Sequence, residues 1–67
     1  MAAISLETLL DLLGTSEIPG SGAEREALCT RIGELLELNG ADWIRENRGM
    51  LLDQWRCIVA MKSIRNL

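Results

Sequence analysis

Residues 42–61, DWIRENRGMLLDQWRCIVAM, decide the architecture, because they read either as one helix or as two. At 100° per residue, Ile44, Leu51, Leu52, Trp55, Ile58 and Val59 fall within a sector of roughly 120°. The stripe keeps its phase across Gly49, the poorest helix former in the stretch. Periodicity therefore predicts one continuous helix over 42–65, capped by Asp42, with Gly49 as its weak point.

The same stretch carries a second apolar line. Trp43, Met50, Cys57, Met61 and Ile64 recur at spacings of 7, 7, 4 and 3, with Asn47, Gln54 and Arg65 between them and the main stripe. A helix that is apolar on two sides is either buried on two sides or left with an exposed patch. Trp55, in the middle of the main stripe, reads as core. Trp43 lies on the second line beside Ile44, and reads as a cap on the bundle end or as an anchor at an interface, where tryptophan is enriched. Methionines suit such a surface because their unbranched chains repack against varied partners.

Working back toward the N-terminus, AEREALCTRIGELLEL predicts a second helix over 22–38. Leu28, Cys29, Ile32, Leu35 and Leu36 share one side; Glu26, Thr30, Gly33, Glu34 and Glu37 share the other. Ser21 and Glu24 have the S-x-x-E spacing of a capping box. Before it, Ile18-Pro19-Gly20-Ser21 fits a type II turn, with Pro fixing φ and Gly supplying φ > 0. SLETLLDLL predicts a first helix over 5–13, with Ser5 as N-cap and Gly14 as its stop. Its apolar stripe is Leu6, Leu9, Leu10 and Leu13, with Leu12 off to one side. The expected fold is all-α: a small three-helix bundle of a short helix, a Pro-Gly linker over 14–21 and an antiparallel pair of longer helices. It makes one domain over 1–67, and self-association completes it.

Sixty-seven residues leave a thin core, and small domains commonly gain stability from a crosslink, a metal or a partner. The 48% hydrophobic content makes the partner route the natural one here. Histidine, tyrosine and phenylalanine are absent, so the commonest general base and metal ligand is missing. Cys29 and Cys57 stand 28 residues apart, each within an apolar helical pattern, and read as small, buried or half-buried hydrophobes rather than as a metal or redox pair. Residues 1–40 carry a net charge of −5 and residues 41–67 a net charge of +2, an asymmetry that favours head-to-tail docking.

Several function classes fall away at this level. No cofactor or metal is expected: the acidic residues lack the EF-hand order, and GTSEIPGSG lacks the lysine of a phosphate loop. No enzyme is expected, since either cysteine would be a nucleophile without a base. LETLL at residues 6–10 matches a helix-docking pattern that any leucine-rich helix matches by chance. The N-terminus lacks a basic export region, no run approaches a membrane span, and no lipidation box is present. A cytoplasmic protein with reduced cysteines is the expectation. The leading function is a non-enzymatic interaction or regulatory protein that self-associates or docks a larger partner through Trp43, Met50, Cys57, Met61 and Ile64. The alternative is a helix-turn-helix-like nucleic-acid binder using Arg45 and Arg48, with Asp42 and Glu46 otherwise their local partners. The net charge of −3 weighs against it, because phosphate neutralisation supplies most nonspecific affinity.

Overall fold

The computed structural model describes residues 3–65, with side chains through Lys62. Its regular structure is α-helical, with no strand among the described residues. Four helices succeed one another: α1 (Leu6–Leu13), α2 (Gly22–Asn39), α3 (Ala41–Glu46) and α4 (Arg48–Arg65). Residues 63–65 are described as backbone only, so the side chain of Ile64 lies outside the described residues.

The local signals at the first two helices act as their chemistry requires. Ser5 accepts the Thr8 N–H at 3.2 Å and opens α1. Gly14 closes it in the left-handed conformation (φ 63°, ψ 36°), with Thr15 N–H reaching Leu10 O and Gly14 N–H reaching Asp11 O. That pair of bonds is a Schellman ending. At α2, Ser21 Oγ accepts the Glu24 N–H while the Glu24 carboxylate accepts the Ser21 N–H at 2.9 Å, the reciprocal capping box. The bond from the Ser21 backbone, then that from its side chain, holds the Glu24 carboxyl below its ordinary range. Gly20 takes the positive φ the turn needed (117°), and the Ser21 N–H goes to the box instead of closing the turn.

The third predicted helix is divided. The interruption falls at Asn47 (φ −105°, ψ 10°), two residues before Gly49. The break is local: the Asn47 N–H still reaches the Trp43 carbonyl and the Leu51 N–H the Asn47 carbonyl, each at 3.0 Å, while the Asn47 side-chain amide adds a second bond to the Trp43 carbonyl at 2.8 Å. Nor does Asp42 cap α3: Gly40 is the junction residue, ending α2 and opening α3 with φ 87° and ψ 165° and no side-chain bond. Gly49 itself lies in the first turn of α4, exposed, where an added Cβ would meet nothing within 4 Å. Gly49→Ala is therefore expected to stabilise the protein by about 0.5–1 kcal/mol, raising the calorimetric melting temperature by about 2–6 °C. An unchanged or lower melting temperature would count against the helical state of Gly49.

Among the described residues ten apolar side chains form the core, Leu9, Leu12, Leu13, Ile18, Leu28, Cys29, Ile32, Ile44, Leu51 and Trp55. The α2 and α4 stripes are those expected, with Leu35, Leu36, Leu52, Ile58 and Val59 packed half-buried against the core. Two expectations change. In α1 the buried set is Leu9, Leu12 and Leu13, while Leu6 is exposed and Leu10 half-buried. Five leucines in eight residues offer two overlapping stripes, and packing against several neighbours selects between them where periodicity cannot. In α2, Gly33 is buried instead of facing solvent. On the same helix the carbonyl of Cys29, four residues before Gly33, accepts a second bond from the Ile4 N–H at 3.4 Å, so the segment ahead of α1 runs along α2.

The two long helices do not lie together as a close pair. α2 packs nearest α1 and α3, and meets α4 through longer side chains, Trp55 and Ile58 facing Leu28 and Ile32. The indole of Trp55 also ties α4 to the linker, its Nε1–H donating to the Pro19 carbonyl at 2.9 Å.

Candidate interaction surface

The break at Asn47 divides the second apolar line. Trp43 stays on α3, where its side chain is half-buried and packs against the core. It therefore does not continue the α4 line. Met50, Cys57 and Met61 all lie on α4 and are exposed, Met50 at 46% and Met61 at 61%. Met50 and Cys57 come together with Gln54 and Ile58 along a shallow groove of about 590 Å3, lined also by Arg31 of α2 and by Asp53. Gln54 was missed as a member of this surface because it is polar. Its position four residues after Met50 and three before Cys57 was the available signal.

The opposite side of the same helix is committed to the core. Leu51 and Trp55 are buried, Leu52 and Val59 are half-buried against them, and Ile58 stands at the border, packed on the core and lining the groove. Beyond Val59 that cover ends: Ala60, Met61 and Lys62 are all exposed. The molecule is 38 Å long and about 22 Å across, and the charge of Lys62 reaches Glu24 at the start of α2, adding to the lowering that the Ser21 bonds give that carboxyl.

The cysteines differ from one another. Cys29 is buried and Cys57 exposed, and both are free thiols. Burial, with Glu26 nearby adding to it, pushes the Cys29 thiol above its ordinary range, so little of the reactive thiolate is present. Cys57 is the correction to the sequence reading. It sits on the α4 line but outside any cover the chain provides. In native buffer one of the two thiols is expected to react with Ellman's reagent within minutes, and the second only after urea is added. Two equally fast thiols would mean that Cys29 is not held inside.

The two arginines of the nucleic-acid alternative are turned toward α1. Arg45 reaches Asp11 at 3.9 Å rather than a carboxylate of its own turn. Arg48 lies over the C-terminal end of α1, its guanidinium 3.5 Å from where a Cβ on Gly14 would stand. That end of α1 has no basic residue in its own last turn, so Arg48 supplies the charge its carbonyls favour. Both contacts are exposed, and each contributes at most a fraction of a kcal/mol, on the order of 0.5. Arg56 pairs with Asp53 within α4 at 3.3 Å.

A larger hollow of about 780 Å3 lies between α1 and the linker, walled by Leu6, Leu10, Ile18 and Pro19. Arg25 and Arg56 line it, but so does Glu17, and it collects no set of groups with a chemistry of its own. Among the described residues no three acidic or sulfur side chains gather as metal ligands, and no helix is long and apolar enough to cross a membrane. Compared with protein-family models, curated proteins and solved structures, the chain gives no match.

Proposed function

We propose that this protein is a non-enzymatic interaction protein, acting by docking the exposed apolar side of α4 against another polypeptide. One observation carries this reading. α4 is apolar on two sides, and among the described residues the side bearing Leu51 and Trp55 is covered while Met50, Cys57 and Met61 are exposed. Covering the exposed part of Met50 and Met61 contributes on the order of 1–2 kcal/mol each at 25 cal/mol per Å2. With Cys57 and the groove rims added, this is the scale of a micromolar contact, about −8 kcal/mol, only when neighbouring surface joins in. The basic balance of the second half of the chain, against the acidic first half, sets orientation and on-rate more than affinity. Arg45 and Arg48 already neighbour α1, which supports a protein partner over a nucleic acid.

Met50→Glu combined with Met61→Glu tests the surface. Both side chains are exposed, so the fold should persist, with an unchanged far-UV circular dichroism spectrum. Association, read by sedimentation equilibrium with reductant present, should weaken by roughly 100-fold or more, since each carboxylate would be buried against apolar surface. Association of undiminished strength in the double variant would remove α4 as the docking surface.

A further inference from the structure

We draw no further inference here: the strongest candidate, the exposed Met50–Gln54–Cys57–Met61 face of α4, already carries the docking reading above, and nothing in the structure shows what covers it.

Discussion

Replacing Trp55 by alanine should lower the unfolding free energy by about 3–5 kcal/mol, the range for emptying a buried aromatic site. The residue is 5% exposed and stands between α4, α2 and the linker. Its truncation leaves a cavity and also strips the Pro19 carbonyl of its 2.9 Å partner, a loss of about 1 kcal/mol contained within that range. A chain of this length has roughly 3–10 kcal/mol in total, so the variant should be largely unfolded in modest urea. Far-UV circular dichroism against urea makes the measurement. Trp55→Phe separates the two contributions: it keeps much of the apolar volume, loses the bond, and should cost about 1–2 kcal/mol. A Trp55→Ala variant with an unshifted urea midpoint would refute the place given to this residue.

Ile44→Ala should cost about 2–4 kcal/mol, for a different reason. Ile44 is fully buried, and it is the one buried side chain of α3. That helix has six residues and no side-chain cap, and a helix this short has no stability of its own in water. Its existence depends on docking, and Ile44 is the dock. Native-state hydrogen exchange should show the amides of 41–47 losing protection before those of α2, with a smaller loss across the whole domain. Uniform weakening, with 41–47 no more labile than the remainder, would contradict that dependence.

The helices themselves were legible because their ends carry unambiguous chemistry. Ser5, Gly14, the Ser21–Glu24 box and Gly40 each do one thing that few other residues do as well. The stripes of α2 and α4 were legible for a related reason, since each has polar residues to contrast with apolar ones. α1 lacks that contrast, and which leucines turn inward depends on neighbours supplied from distant sequence. The interruption at Asn47 was hidden by treating 42–65 as a rigid wheel. Ile44 and Leu51 both reach the core, so the phase across the break stayed consistent with an unbroken helix. Trp43 shows the consequence: on the wheel it belonged with Met50, but in the folded chain it belongs to α3. Of the candidate surface, the exposure of Met50 and Met61 accords with their second line, while that of Cys57 departs from its reading as a buried or half-buried hydrophobe. The Trp55–Pro19 and Arg45–Asp11 contacts did not, because each joins residues more than thirty positions apart with no local signature.

Gly40 has a bearing on how this chain can change in length. A single residue serves as the end of α2 and the beginning of α3, in a backbone conformation (φ 87°, ψ 165°) that side chains other than glycine's resist. One residue inserted into the helical turns beside it would rotate the downstream helices by about 100° and advance them by about 1.5 Å. Ile44 would then leave the core, and the contacts of Arg45 and Arg48 with α1 would go with it. Substitution at the exposed Asn39 or Asp42 leaves that phase intact; insertion or deletion does not. The linker tolerates the opposite kind of change. Ser16 and Glu17 are exposed, held locally by the Thr15 hydroxyl, which donates to the Glu17 carbonyl and accepts the Glu17 N–H, so an added residue there disturbs that small turn without turning any helix. Descendants of this sequence would be expected to differ in length between α1 and α2, and to keep one spacing between Ile32 and Ile44.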